Sequence, residues 1–206
     1  METSFPLLFA AVVGFGHAFE VDHLVAVGNI VTKREKLALA VKDGIYWGLG
    51  HTSVILLIGL LIIVGKATFL NGYFGYFEVF VGLMLVLLGS SRLYQYFSNS
   101  PEEDPIRDKK GGHHLAYGVG LMHGLAGSGA MILLVMTEIQ SNFNSIIYLL
   151  IFGIGSVVGM LVAAGIFSLP FSKKITTSES LQVGLVVLSS LLCITYGSYV
   201  MVTHLS

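Results

Sequence analysis

Charge is what this chain has least of. Of its 206 residues only 11 are Lys or Arg and 12 are Asp or Glu, so that charged residues make up 11% against 54% hydrophobic ones. Soluble domains carry about 25% charged residues. With a mean hydropathy of +0.82, there is too little polar material to cover a 22.2 kDa globule. That excludes a soluble enzyme, a nucleic-acid-binding domain and a disordered chain. The formal net charge of −1 leaves no bulk attraction for a nucleic acid or any other polyion. Cysteine is nearly missing. Cys193 alone excludes an internal disulfide and a dithiol redox pair, and it reads as a small apolar packing residue. No G-x-x-x-x-G-K-[ST] loop is present for nucleotide hydrolysis and no H-E-x-x-H for a zinc hydrolase; paired Glu-x-x-His motifs of the di-iron kind are missing too. The start, Met1-Glu2-Thr3-Ser4, lacks the basic n-region of a secretory signal, so the first apolar stretch is read as a retained helix.

What the chain has is apolar length. Six segments stand out, roughly 5–31, 44–65, 73–95, 115–137, 142–168 and 180–203. They are too long and too continuous for strands, and they lack the alternation of a membrane barrel. Each matches the roughly 20 residues that cross a bilayer as a helix. The expected fold is therefore all-α, a polytopic membrane protein with six transmembrane helices in one domain over 1–206. Ten of the 11 basic residues (Lys33, Arg34, Lys36, Lys42, Arg92, Arg107, Lys109, Lys110, Lys173 and Lys174) fall on the side reached after the first, third and fifth segments. Only Lys66 falls on the other. That asymmetry marks the basic side as cytoplasmic and places both termini away from it.

A repeat is visible within the six. Gly14-Phe15-Gly16-His17 resembles Gly120-Leu121-Met122-His123, and Trp47-Gly48-Leu49-Gly50 resembles Phe152-Gly153-Ile154-Gly155. The expected halves run from about 5 to 95 and from about 115 to 203, joined by a cytoplasmic linker over 98–114. Because three spans is an odd number, the halves have opposite topology, the inverted-repeat plan of secondary transporters.

Ionisable groups within a bilayer are costly and are functional candidates by default. The first segment holds four in seven residues: His17, Glu20, Asp22 and His23. His51 and His123 each stand alone in later segments. Counting from the segment ends at 1.5 Å per residue puts His23, His51 and His123 roughly 11–12 Å deep, with Asp22 in the same layer and His17 about 9 Å further out. Imidazoles with one carboxylate suit borderline divalent metals such as Ni, Co, Zn or Cu, whereas Mg and Ca prefer oxygen cages. On a regular helix His17 and His23 point about 240° apart. The helix must then be kinked or unwound near Gly14 and Gly16, or its groups serve two sites. His113-His114, in the charged linker, is a weaker candidate for the inner mouth, and Glu20 a weaker candidate beside the main set.

These residues carry a resemblance. His17-Ala18-Phe19-Glu20-Val21-Asp22-His23 has the form His-x4-Asp-His and resembles the signature of the nickel/cobalt transporter family and its shorter UreH-like relatives. Leu49-Gly50-His51-Thr52-Ser53-Val54 is similar to that family's second motif. The resemblance is specific over residues 14–56. It implies that His17, Asp22 and His23 bind the metal with His51 near its path. Departures are six spans where seven or eight are usual, Glu20 where an aspartate is usual, and a second half reduced to Met122-His123-Gly124-Leu125-Ala126-Gly127-Ser128-Gly129.

The leading expectation is a secondary transporter of Ni²⁺ first and Co²⁺ second, not an enzyme. Its metal set is His17, Asp22, His23, His51 and His123. The ion is substrate, with no cofactor besides. The lipid bilayer and the ion are the expected partners, with a cytoplasmic metallochaperone as candidate receiver. A bacterial inner or plasma membrane, or an organelle membrane of bacterial origin, is the expected location. An exporter using the same site, a membrane haem protein or metalloenzyme, and an amino-acid carrier on the same plan stay open as alternatives.

Overall fold

The computed structural model describes residues 4–31, 34, 36–64, 74–98, 113–138, 141–171 and 179–205, with side chains over 7–31, 34, 36–64, 75–98, 113–126, 141–171 and 180–205. Regular structure among them is entirely helical: α1 (Ser4–His17), α2 (Val21–Val31), α3 (Leu37–Ile63), α4 (Phe74–Ser98), α5 (His114–Glu138), α6 (Asn142–Ser168) and α7 (Glu179–Leu205), with one 3₁₀ turn at Leu169–Phe171. Helices α3, α4, α6 and α7 are each long and apolar enough to cross a membrane. Helices α1 and α2 pass the same test of length and composition only as a pair, bent by 54° at the break between them. The first segment, 5–31, is thus two helices meeting at an angle. Large apolar side chains such as Leu8, Leu57, Leu61, Phe80, Leu87, Ile154, Leu188 and Leu192 face outward. An outward belt of this kind is stable only against lipid, and the chain is an integral membrane protein.

Glycine sets how the helices meet. Without a hydrophobic force between helices in lipid, close backbone approach supplies much of the packing. A Cβ on Gly14 would strike the carbonyl of Phe152, and one on Gly155 the carbonyl of Ala11, so α1 and α6 touch backbone to backbone. Gly50 rests on the carbonyl of Tyr117, Gly120 on that of Trp47 and Gly124 on that of His51. From Trp47 on Gly120 to His51 on Gly124 both numbers rise by four, so α3 and α5 run parallel. Gly44 meets Met160, Gly48 meets Val157 and Gly153 meets Thr52, so α3 and α6 run antiparallel. Gly82 lies on the carbonyl of Gly197 and Gly89 on that of Ser190, which makes α4 and α7 an antiparallel pair. Helix α2 ties this pair to the rest: Asn29 Nδ2 donates to Ser190 Oγ at 3.4 Å, and buried Cys193 lies 3.9 Å from the carbonyl of Val25.

A prediction follows from these contacts. Gly120→Ala drives a methyl group into the Trp47 carbonyl, and overpacking of this kind costs about 1–3 kcal/mol. Gly16→Ala meets open space and should change stability by no more than about 0.5 kcal/mol. Thermal unfolding of the two variants in detergent, beside the parent, reads the difference.

Candidate metal centre

The centre is built at the bend between α1 and α2. Helix α1 stops at His17, and the chain turns through Ala18, Phe19 and Glu20 before α2 starts at Val21. Tight turn bonds hold the corner: Phe19 N–H donates to the Gly16 carbonyl at 2.9 Å, and Glu20 N–H to that of His17 at 3.1 Å. Neither proline nor glycine lies in the corner. Its consequence is geometric. His17, on the last turn of α1, and His23, on the first turn of α2, face one centre with ring centroids 4.6 Å apart. On an unbroken helix they would point about 240° apart. The separate layer expected for His17, about 9 Å beyond that of His23, is thereby corrected, because the bend folds the end of α1 over the start of α2.

His51 completes the cluster from α3. Its ring centroid is 5.1 Å from that of His17 and 5.2 Å from that of His23. One nitrogen from each of His17, His23 and His51 falls within a mutual 4.8 Å, and all three residues are buried. Ring orientation is set from behind. His17 Nδ1–H donates to Glu20 Oε1 at 2.8 Å and His23 Nδ1–H to Asp22 Oδ1 at 3.0 Å. His123 Nδ1–H donates to the carbonyl of Val119 at 3.1 Å. Each imidazole therefore presents Nε2 as a lone pair, the arrangement in which an outer oxygen fixes the tautomer of a metal-binding histidine. Those Nε2 atoms of His17, His23 and His123, and both ring nitrogens of His51, are buried with no hydrogen-bond partner among the described residues. Buried polar atoms in native proteins are nearly always partnered, and an unpartnered one costs about 1–3 kcal/mol. The nitrogens of His17, His23 and His51 are close enough together to be able to hold a metal ion.

The other residues singled out from sequence sit around this core. Asp22 lies outside the three-nitrogen group; with Glu20 and His23 it forms a second group of mutually close ligand atoms, in which Glu20 is exposed. Asp22 Oδ2 is 4.0 Å from His123 Nε2, and the ring of His123 lies 4.8 Å from that of His23. Asp22 stands in the first turn of α2, where the positive end of the helix dipole favours a carboxylate. Adjacent His113 and His114 part company. His114 is exposed, in a groove between α4 and α5 that also touches Gln95 and Met122. His113, expected in a solvated linker, is buried instead. Its Nδ1–H donates to Asp43 Oδ1 at 2.6 Å, and its ring stacks on Tyr46 at 5.0 Å.

That contact exposes two residues the sequence reading left among ordinary loop charges. Arg34 Nε donates to Asp43 Oδ2 at 2.6 Å and Nη2 to Oδ1 at 3.1 Å, both side chains being buried. The usable signal was Asp43 itself, a carboxylate eight residues before His51 on the same helical face. Trp47, halfway between them, was missed as well. Its ring lies 5.5 Å from His23 and 5.8 Å from His123.

Comparison with known proteins places this arrangement in a sequence context. Over 176 residues the chain is 34% identical to urease accessory protein UreH of Bacillus sp. (strain TB-90), covering 81% of this chain and 77% of that one. Over 162 residues it is 26% identical to the chloroplast protein FOR GROWTH AND FERTILITY 1 of Arabidopsis thaliana, covering 68% of this chain and 42% of that one. No family model and no solved structure matches.

Proposed function

The chain belongs to the UreH-like branch of the nickel/cobalt transporter family, and from that premise we propose that it is a secondary transporter carrying a divalent transition metal, Ni²⁺ before Co²⁺, across its membrane. The observation that carries the reading is the convergence of unpartnered, buried imidazole nitrogens from His17, His23 and His51. Neutral nitrogen donors without thiolate favour borderline divalent ions over Mg²⁺ or Ca²⁺. His17, His23 and His51 hold the ion. Asp22 and His123 stand beside them, Asp22 balancing its charge and orienting His23, while Glu20 orients His17. His113 belongs to the buried Arg34–Asp43 pair and His114 to the surface; neither is among the ligands in this reading.

Six spans fit best, with the bent α1–α2 pair as the first and α5 as the fourth. The two halves, about 5–95 and 115–203, are then inverted repeats joined through 98–114. Support comes from matched contacts: Gly14 on Phe152 answers Gly120 on Trp47, and Gly155 on Ala11 answers Gly50 on Tyr117. The basic side is cytoplasmic, both termini face away from it, and the membrane is a bacterial inner membrane or one of bacterial descent. The ion sheds water, is held between the halves, and leaves to the cytoplasm when they rock, with a metallochaperone as candidate receiver. No reaction is catalysed and no resident cofactor enters.

Accumulation of radiolabelled nickel tests this. Cells producing the parent should accumulate more than cells without it, and His17→Ala, shown to reach the membrane, should accumulate no more than background. Lower nickel in parent cells than in empty ones would reverse the direction. Equal nickel in all three would sink the nickel reading.

A further inference from the structure

We propose that Trp47 and Phe152 are the two barriers of the metal site, each closing it toward one end of the helix bundle. The inference rests on the transport reading above and goes beyond its ligands. Both side chains are almost completely buried, at 1% and 0% exposure. Both lie directly on the imidazoles: Trp47 against His23 and His123, Phe152 against His17 at 5.5 Å.

The register between α3 and α6 fixes which way each ring faces. Gly48 meets Val157 and Thr52 meets Gly153, which sets Phe152 level with residue 53 of α3. Trp47 lies four residues from His51 toward the start of α3, about 6 Å along the axis. Phe152 lies about two residues, or 3 Å, beyond His51 in the opposite direction. The imidazole cluster is therefore bracketed. An ion leaving toward the start of α3 meets the indole, and one leaving the other way meets the phenyl ring. Neither offers oxygen or a lone pair that replaces a ligand or a water, so each presents an apolar wall to a hydrated ion.

Two further observations fit moving walls. Trp47 and Phe152 occupy matched places in the two halves, each followed by Gly-x-Gly, and each has a glycine of another helix on its own carbonyl, Gly120 and Gly14 respectively. The backbone under each ring is thus a helix contact that shifts when the halves rock. Trp47 Nε1–H is also buried with no acceptor among the described residues. An indole in its resting place usually bonds this proton; a ring that swings aside can find an acceptor elsewhere.

A barrier differs from a ligand in what its removal changes. Losing a ligand weakens equilibrium binding. Losing a barrier speeds entry and exit together. The experiment uses the full chain in vesicles of uniform orientation, loaded with radiolabelled nickel at the site, and a membrane-impermeant chelator applied to one side at a time. Trp47→Ala should release nickel at least about tenfold faster to chelator on the side where α3 starts, with little change on the other side. Phe152→Ala should show the reverse. Both should keep nickel affinity within about threefold of the parent. If an alanine variant does not fold, Trp47→Leu or Phe152→Leu, which leave smaller cavities, should show the same sidedness. Equal acceleration on both sides, or loss of affinity without faster release, would overturn the barrier assignment alone. A parent that binds no nickel would overturn the transport reading beneath it.

Discussion

Asp43→Ala is expected to destabilise the detergent-solubilised protein by about 3–5 kcal/mol, the usual cost of removing one partner from a buried ion pair. Asp43 accepts from Arg34 Nε and Nη2 and from His113 Nδ1, at 2.6, 3.1 and 2.6 Å. It joins the connection after α2 to α3 and to the residue preceding α5. Without the carboxylate the guanidinium, only 2% exposed, keeps its charge but loses both bonds to Asp43, and His113 loses its acceptor. Replacing both partners removes the buried charge as well, and such swaps are often neutral or better. Arg34→Met with Asp43→Leu should therefore recover most of the stability lost by Asp43→Ala. Melting temperatures of parent, single and double variants read this; equal losses in single and double variants would show that the pair is not what anchors these segments.

How much of this was legible beforehand depended on how local its cause was. Helices were legible because bilayer crossing imposes a length and composition on contiguous residues, as in 142–168, which became α6. A break in the first segment was one of two alternatives, and it was expected near Gly14 and Gly16, where backbone freedom is greatest. It falls instead at Ala18–Glu20, held by bonds to the Gly16 and His17 carbonyls and by the His17–Glu20 pair. Gly14 is spent on contact with α6. Histidines within apolar spans announced the centre, and depth counting brought His23 and His51 to one layer. The same counting put His17 elsewhere, because it assumed a straight axis. Arg34 and His113 were opaque for another reason: basic residues near span ends are common and usually solvated, and only the meeting of three segments on Asp43 buries these. Trp47 and Phe152 looked like ordinary packing, and their place over the imidazoles comes from the crossing of α3 with α5 and α6.

The second large effect belongs to His23. Its ring touches those of His17, His51, His123 and Trp47, more of the centre than any other side chain among the described residues. Losing the oxygen behind a ligating histidine costs roughly 10–100-fold in metal affinity, and losing the ligand itself should cost more. His23→Ala is expected to weaken nickel binding by at least about 100-fold, whereas His114→Ala, exposed on α5, should stay within about threefold of the parent. Equilibrium dialysis with radiolabelled nickel on purified protein reads both.

The claim beneath all of this is that the imidazoles of His17, His23 and His51 hold the ion. X-ray absorption at the nickel edge of the loaded, purified protein tests it most directly, because imidazole rings scatter from their outer carbons in a pattern that water and carboxylate lack. The account predicts a shell with three imidazoles, falling to two in His51→Ala loaded with excess nickel. An oxygen-only shell in the parent, or an identical spectrum in His51→Ala, would contradict it.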